Sequence, residues 1–267
     1  MTGAGTAAVA IRLKSPEQIE KMRRSGRLVH DVLEHLRSMV VPGVTTQELN
    51  DEAERLCLQA GAQCLFKGVP GRHGAGPFPG AVCISINEQV VHGIPSARRV
   101  VAGDIVSVDF GVRLDGWCGD AADTFPVGDV APGVRRLVDV TRTALAIVLE
   151  MARPGQRWSH IARAMQEYVE GEGFAIVREF VGHGIGRDMH EEPKVPNFVS
   201  PELEARDIFL REGMVLAVEP MVNLGSPAVE YAPDRWTVLT KDRRPSAHYE
   251  HTIAIRSSGA DVLTDGR

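Results

Sequence analysis

The sequence contains no apolar run long enough to cross a membrane and shows no excess of basic residues. No stretch of the 267 residues approaches the ~18 consecutive apolar residues that a membrane helix needs. The N-terminus lacks a charged start followed by an apolar core, so no secretion signal is predicted. These absences predict a cytoplasmic location and no membrane partner.

Cysteines are few and show no metal-binding or disulfide spacing. The four are scattered without a CxxC pair, so we expect free thiols in a reducing compartment. The net charge of −5 gives no electrostatic basis for dedicated nucleic-acid binding. Short basic runs, such as residues 241–244, leave open only a transient contact with an acidic partner such as a ribosome.

The short motifs of several common enzyme classes are also absent. Neither a GxSxG nucleophile elbow nor a Walker A loop is present. The HEEP segment that begins at His190 departs from the HExxH motif, because Lys194 replaces the second histidine and Pro193 breaks the helix. Arg187 stands where a GxGxxG loop requires glycine, and residues 115–123 do not fit an EF-hand calcium loop.

Capping signals and apolar periodicity predict helices and strands in two similar series. Capping boxes at SPEQ (15–18) and TTQE (45–48) open helices that end at Pro42-Gly43 and near Gly61. A second helix pair is expected over roughly 134–152 and 159–170. Apolar, β-branched runs predict strands at 81–86, 104–112, 174–181, 214–219, 236–240 and 251–255.

Two segments recur at nearly the same spacing, which indicates an internal duplication. Residues 42–62 align with 154–174 and residues 101–112 align with 211–222, at offsets of 112 and 110. In this alignment Asp109 falls on Glu219. We therefore expect two related halves fused into one catalytic domain over residues 12–267, with a site between the halves. Residues 1–11 are small and featureless and are expected to form a flexible tail.

Two carboxylates end apolar strands, where an unpaired charge is costly. Asp109 closes IVSVD and Glu219 closes VLAVE, so each is expected to be buried. If Asp115-Gly116 is a two-residue hairpin loop, Gly111 faces Asp120. Asp109 and Asp120 then become diagonal neighbours on one face, ~7–8 Å apart at the backbone. Such convergence suits carboxylates that bind cations.

Glu250 lies in another strand and adds a fourth carboxylate to this set. Four carboxylates and one imidazole, without a thiolate, are typical of an oxygen-rich site for Mn, Fe, Co or Zn. Four negative charges would balance two divalent ions, and ions ~3.5–4 Å apart can share a hydroxide. Taken singly, each acid is more typical of a surface or salt-bridged residue. Five histidines are interpreted as ordinary helix or loop residues: His30, His35, His73, His160 and His248.

Several segments resemble the type I methionine aminopeptidases of the pita-bread fold. These segments are VVHGIP (90–95), DIVSVDFGVRLDGWCGD (104–120), GHGIGRDMHEEP (182–193), MVLAVEP (214–220) and TKDRRPSAHYEHT (240–252). The resemblance runs from about residue 12 to the end. It implies an α+β fold in which two pseudo-twofold related halves form an antiparallel sheet flanked by helices. It also implies removal of the N-terminal methionine from nascent polypeptides that have a small second residue. A monomer is the default expectation.

The resemblance also implies a role for each site residue. Asp109 would chelate one of two divalent ions, Asp120 and Glu250 would bridge both, and His183 and Glu219 would complete the shell of the other. Glu219 would also accept a proton during catalysis. Two further histidines, His92 and His190, would contact the substrate and assist catalysis without binding metal. Four residues would line the methionine pocket: Phe78, Cys83, Met189 and Trp236.

The pocket departs from the family pattern, and three rival functions stay open. The loop over residues 64–79 is longer than in the family, its usual tyrosine has no clear counterpart, and Met189 stands where phenylalanine is expected. A shifted preference for the first residue is therefore one rival function. A proline-directed relative, such as aminopeptidase P or prolidase, is a second. A homologue that has lost its metals and only binds peptides or ribosomes is a third.

Overall fold

A nine-stranded sheet, antiparallel at every pairing, forms the centre of the computed structural model, in which residues 11–71 and 74–267 are described. The helices are α1 (Pro16–Met39), α2 (Thr46–Gln59), α3 (Pro132–Met151), α4 (Trp158–Gly171) and α5 (Pro201–Ala205). The strands are β1 (Gln63–Cys64), β2 (Cys83–Ile86), β3 (Gln89–Val91), β4 (Ile105–Leu114), β5 (Trp117–Pro126), β6 (Ala175–Ile176), β7 (Gly182–Gly184), β8 (Glu191–Val195), β9 (Val215–Val218), β10 (Met221–Asn223), β11 (Val229–Tyr231), β12 (Val238–Thr240), β13 (Ser246–His248), β14 (Glu250–Arg256) and β15 (Gly259–Val262).

The four predicted long helices are present, and both predicted capping boxes form. The Ser15 hydroxyl accepts from the Gln18 N–H at 3.3 Å, and the Gln18 side chain accepts from the Ser15 N–H at 3.0 Å. Thr45 and Glu48 make the same reciprocal pair at the start of α2. The predicted flexible tail over residues 1–11 lies, apart from residue 11, outside the described residues. None of the described helices is long and apolar enough to span a bilayer.

One predicted strand is much shorter than expected. The run over 174–181 forms only β6, because the chain bends after Val177 and exposes Arg178 and Glu179. Phe180 is left half-buried beside the cleft. The apolar run predicted a strand throughout, but its second half is an irregular segment that leads into β7.

Equivalent backbone hydrogen bonds recur in the two halves at the predicted offsets. The N–H of Thr46 donates to the carbonyl of Arg98, and the N–H of Trp158 donates to the carbonyl of Ile208. Residues 43 and 100 form a second such bond, which residues 155 and 210 repeat at the same length of 2.8 Å. The duplication read from the sequence is therefore present in the backbone. Each half packs its own helix pair on the sheet, with α1 and α2 on one core and α3 and α4 on the other.

The order of strands in the large sheet brings the candidate site residues together. The path runs β1-β4-β5-β14-β9-β7-β8. The predicted β4–β5 hairpin forms around Asp115-Gly116, where both residues have positive φ, and Gly111 faces Asp120 as expected. The five strands β4, β5, β14, β9 and β7 therefore lie side by side across the middle of the fold.

Helix α1 lies so close to this sheet that two of its contacts allow only glycine. A Cβ added to Gly26 would lie 2.0 Å from the carbonyl oxygen of Leu263, and one added to Gly119 would lie 2.8 Å from the nitrogen of Gly26. Backbone atoms cannot give way as a flexible side chain can. The packing of α1 on β5 therefore depends on both glycines.

We predict that Gly26→Ala lowers the free energy of unfolding by about 1–3 kcal/mol, the usual cost of overpacking. Gly133→Ala is the matched control, because Gly133 lies in α3 and its added Cβ would have no described residue from elsewhere in the fold within 4 Å. That control should be neutral or slightly stabilising. Urea unfolding of both variants checks the prediction, and equal stability of the two would contradict it.

Candidate metal centre

All five predicted metal ligands line one cavity of about 260 Å³. Asp109 comes from β4, Asp120 from β5, Glu250 from β14 and His183 from β7, while Glu219 directly follows β9. The candidate ligand atoms of Asp120, His183 and Glu250 lie within 4.8 Å of one another. The Nε2 atom of His183 lies 3.7 Å from Oε1 of Glu219. The structure thus brings together residues that lie up to 141 positions apart in the chain.

The carboxylates of this cluster have an unfavourable environment as bare anions. Burial, reinforced by repulsion from neighbouring carboxylates, raises the pKa of Asp109, Glu219 and Glu250 well above the usual range. Burial raises the pKa of Asp120 to about 7. Among the described residues, one oxygen each of Asp109, Asp120 and Glu250 is buried without a hydrogen-bond partner. Divalent cations are the natural partners for such a set, so the residues fit the metal group that the sequence predicts.

His183 is oriented to present a ligand nitrogen to this cluster. Its Nδ1 lies 2.9 Å from the carbonyl oxygen of Gly184, which favours a proton on Nδ1 and a lone pair on Nε2. Burial, together with the nearby His190 ring, lowers the pKa of His183 to about 4. The ring is therefore neutral at physiological pH, as a metal ligand must be.

The two histidines predicted to act without binding metal flank the same cavity. The His190 ring centroid lies 4.4 Å from that of His183. The His92 ring packs edge-on against the Phe180 ring, with 5.4 Å between the ring centroids. The backbone of His92 has a φ of 58°, in the left-handed region. A non-glycine residue in that region costs about 1–3 kcal/mol and is often found at functional sites.

A third histidine, His248, lies beside the candidate ligands, although the sequence interpretation did not indicate a role for it there. His248 was interpreted as an ordinary helix or loop residue, and this was wrong. It ends β13, is 2% exposed, and places Nε2 3.9 Å from Glu219 and 4.0 Å from Glu250. Burial lowers its pKa to about 3. The available signal was its position two residues before Glu250, since alternate residues of an extended segment share a face.

One wall of the cavity is apolar and includes the four predicted pocket residues. Phe78, Cys83, Met189 and Trp236 pack together with Phe66, which was not predicted. Phe78 and Trp236 meet edge to face at 5.1 Å. The indole N–H of Trp236 donates to the carbonyl of Gly76 at 2.9 Å. Such a wall suits an unbranched apolar side chain.

The loop over residues 64–79 leaves this wall and returns to it through paired backbone bonds. The N–H of Gly68 donates to the carbonyl of Phe78, and the N–H of Phe78 donates to the carbonyl of Val69. These bonds close the base of the loop and leave Phe66 and Phe78 together on the wall. Val69 and Pro70 also line the cavity.

A buried ion pair anchors the loop that carries Met189 and His190. Lys14 Nζ lies 2.7 Å from Oε2 of Glu191, and both side chains are nearly fully buried. The other oxygen of Glu191 accepts the backbone N–H of Arg187 at 3.0 Å. The salt bridge and these bonds hold the pKa of Glu191 below its usual value against the opposing effect of burial.

Residues 20–257 match the family described as Metallopeptidase family M24. The fold and the buried carboxylates therefore belong to a metallopeptidase. The Xaa-Pro dipeptidase of Bacillus anthracis shares this fold with a TM-score of 0.73. It is 20% identical, and the match covers 96% of this chain but 62% of that one, so the likeness concerns the fold alone.

More similar proteins define the position of the chain within that family. Methionine aminopeptidase 1 of Bacillus subtilis (strain 168) is 46% identical, over 94% of this chain and 98% of that protein. The methionine aminopeptidase of Escherichia coli (strain K12) is 44% identical, over 96% and 94%. The crystal structure of methionine aminopeptidase from Thermotoga maritima superposes with a TM-score of 0.89 at 41% identity, covering 96% and 99%. The chain belongs to the methionine aminopeptidases, and the predicted pita-bread fold is confirmed.

The buried carboxylates predict how the stability of the metal-free protein changes with pH. Their folded pKa values lie above the unfolded values near 4, so the native state retains protons that the unfolded state has lost. Stability should therefore fall as pH rises above about 6.5, through the raised folded pKa values of these carboxylates, by ~1.4 kcal/mol per pH unit for each retained proton. The buried histidines act in the opposite direction, but only below their unfolded pKa of about 6.5.

Urea unfolding of metal-stripped protein across that pH range measures this slope. Saturating Mn²⁺ should flatten it, because metal binding displaces the retained protons. A metal-free stability that rises with pH over the same interval would contradict the burial of the carboxylates.

A second prediction concerns the ion pair that anchors the His190 loop. Lys14→Met leaves the Glu191 charge buried and unpaired, so it should cost about 3–5 kcal/mol of stability. Lys21→Met is the matched control, because it breaks a largely exposed pair with Glu17 and should cost about 0.5 kcal/mol or less. Thermal or urea unfolding distinguishes the two, and similar small losses would show that the Lys14 pair does not stabilise the fold.

Proposed function

We propose that the chain removes the N-terminal methionine from nascent polypeptides with a small second residue, using two divalent ions held by the five clustered side chains. Asp109 would chelate one ion, Asp120 and Glu250 would bridge both, and His183 and Glu219 would hold the other. The observation that carries the proposal is the convergence of four carboxylates and one neutral imidazole beside an apolar wall; Asp120 and Glu250 are buried, and Asp109 and Glu219, expected to be buried, are half-buried. Co, Mn, Fe and Zn all suit this donor set.

The side chains divide the work of peptide hydrolysis. When bound, the ions supply Lewis acidity and lower the pKa of water to near neutrality. Glu219 accepts the proton of the attacking water. His190 stabilises the negative charge that develops on the carbonyl oxygen, and His92 assists at the amide nitrogen of the scissile bond. Both histidines line the cavity that contains the ligand cluster.

The apolar wall beside the ligands would bind the side chain of the first residue. Phe66, Phe78, Cys83, Met189 and Trp236 present aromatic, sulfur and aliphatic surface that suits a flexible thioether. The preference for a small second residue is what the family resemblance implies. A shifted first-residue preference is the second candidate, because Val69 and Pro70 of the loop over 64–79, which is expected from the sequence to be longer than in the family, line the cavity.

A proline-directed activity and a metal-free binding role have less support. The proline-directed similarity rests on solved structures near 20% identity, which share the fold. A peptide-binding homologue without metals is disfavoured because all five predicted ligand positions carry ligand-type side chains. We propose that residues 12–267 act as one catalytic domain, as a monomer in the cytoplasm, and that any ribosome contact is transient.

Variants of the proposed ligands test the assignment directly. Asp109→Ala and Glu250→Ala should abolish metal-dependent hydrolysis of Met-Ala-Ser, because each removes a carboxylate proposed to hold an ion. His92→Ala and His190→Ala should slow turnover by about 10²–10³-fold while Mn²⁺ binding survives. Steady-state assays and calorimetry on the same preparations separate the two classes. Full activity in either carboxylate variant would remove that residue from the ligand set.

A panel of tripeptides that vary in the first residue tests the substrate. Met-Ala-Ser should exceed Leu-Ala-Ser and other apolar first residues in kcat/KM by about 10–200-fold, the discrimination an apolar pocket usually achieves. X-Pro peptides should be poor substrates. An optimum at another first residue would favour the shifted preference, and a preference for X-Pro would favour a proline-directed enzyme.

A further inference from the structure

The main chain of His248 is held in place by two hydrogen bonds to one side chain of a neighbouring strand. Its N–H donates to the Thr124 hydroxyl oxygen at 3.0 Å, and the same hydroxyl donates to the His248 carbonyl at 2.7 Å. The Ser107 hydroxyl lies 2.8 Å from that of Thr124 and extends the chain of hydrogen bonds. Strands β4, β5 and β13 are thereby joined, and the His248 ring has a defined position beside the ligand cluster.

The ring nitrogen that points toward the cluster has no hydrogen-bond partner within the described residues. Nε2 of His248 is buried and unsatisfied, which is costly unless something completes its bonding. Two carboxylate oxygens lie near it: Oε2 of Glu219, at 3.9 Å, and Oε2 of Glu250, at 4.0 Å. Both distances are longer than a hydrogen bond. A shift of about 1 Å between Nε2 of His248 and Oε2 of Glu219 would bring these two atoms within hydrogen-bonding distance.

The two oxygens of Glu219 face different histidines. Oε1 lies 3.7 Å from Nε2 of His183, and Oε2 lies 3.9 Å from Nε2 of His248. A carboxylate that gives one oxygen to a metal usually has its other oxygen held by a hydrogen-bond donor, which fixes its orientation. His183 has its Nδ1 beside the Gly184 carbonyl and offers a lone pair, whereas the unpartnered nitrogen of His248 can supply that donor.

We propose that His248 is a positioning residue of the metal centre, whose Nε2–H donates to Oε2 of Glu219 and so directs Oε1 toward the ion shared with His183. Glu250 is the second acceptor within reach of the same donor. This role rests on the metal centre proposed above. It requires the tautomer with the proton on Nε2, and it assigns His248 no direct contact with an ion or with the substrate.

Calorimetric titration of metal-stripped protein with Mn²⁺ tests this role without measuring catalysis. His248→Ala should bind Mn²⁺ about 10–100-fold more weakly, the usual effect of losing a hydrogen bond to a metal ligand. His248→Gln, which retains an N–H donor of similar reach, should recover most of the affinity. His251→Gln is the matched control. His251 is a largely buried histidine whose Nδ1 is hydrogen-bonded to the Thr264 hydroxyl, and it lies on the face of β14 opposite to Glu250. The His251→Gln variant should therefore bind Mn²⁺ with the affinity of the unmodified chain.

The outcomes separate this inference from the function on which it rests. Unchanged affinity in His248→Ala would overturn the inference while the metal centre stands. Equal losses in His248→Ala and His248→Gln would also overturn it, because they would indicate that the ring itself binds metal. Failure of the unmodified chain to bind Mn²⁺ would overturn the proposed centre. If circular dichroism shows that His248→Ala does not fold, His248→Met supplies a larger variant that also lacks the donor.

Discussion

Four carboxylates crowded into one buried cavity are the constraint on which the rest of this structure depends. Burial raises all four pKa values, with added repulsion at Asp109, Glu219 and Glu250, and three of the four have an oxygen without a hydrogen-bond partner in the described part of the chain. No fold would gain stability from such a cluster of bare anions. The arrangement is favourable when divalent charge enters the cavity, so the cost of assembling the cluster and the capacity to bind metal are two aspects of one feature.

The duplicated architecture explains how residues from distant parts of the chain reach this cavity. Asp109 and Glu219 occupy equivalent positions in the two halves, at the offset that also relates their backbone hydrogen bonds. The central strands β4, β5, β14, β9 and β7 lie next to one another, so the proposed ligands are carried on or directly beside hydrogen-bonded strands of the sheet. Rigid strands position ligands more accurately than loops do. The apolar wall is built differently, in part from the loop that carries Phe66 and Phe78, whose base is closed by backbone bonds, and loops tolerate variation in length.

Much of the fold and of the ligand set could be predicted from the sequence because short-range rules determine it. Capping boxes define the starts of α1 and α2, and the Asp115-Gly116 turn sets the register that places Gly111 opposite Asp120. Family resemblance supplied His183. The position of Phe66 could not be predicted in this way, because tertiary packing of a long loop decides it, whereas His248 could have been found from its spacing of two residues from Glu250. The apolar run over 174–181 predicted a longer strand than β6 for a related reason: some of its apolar residues line a cleft and do not belong to a sheet.

The most direct test of this account is anomalous diffraction from crystals grown with excess Mn²⁺. The account predicts two peaks ~3.5–4 Å apart, enclosed by Asp109, Asp120, His183, Glu219 and Glu250. A cavity without Mn²⁺, or a manganese ion bound elsewhere while those five side chains point apart, would contradict it.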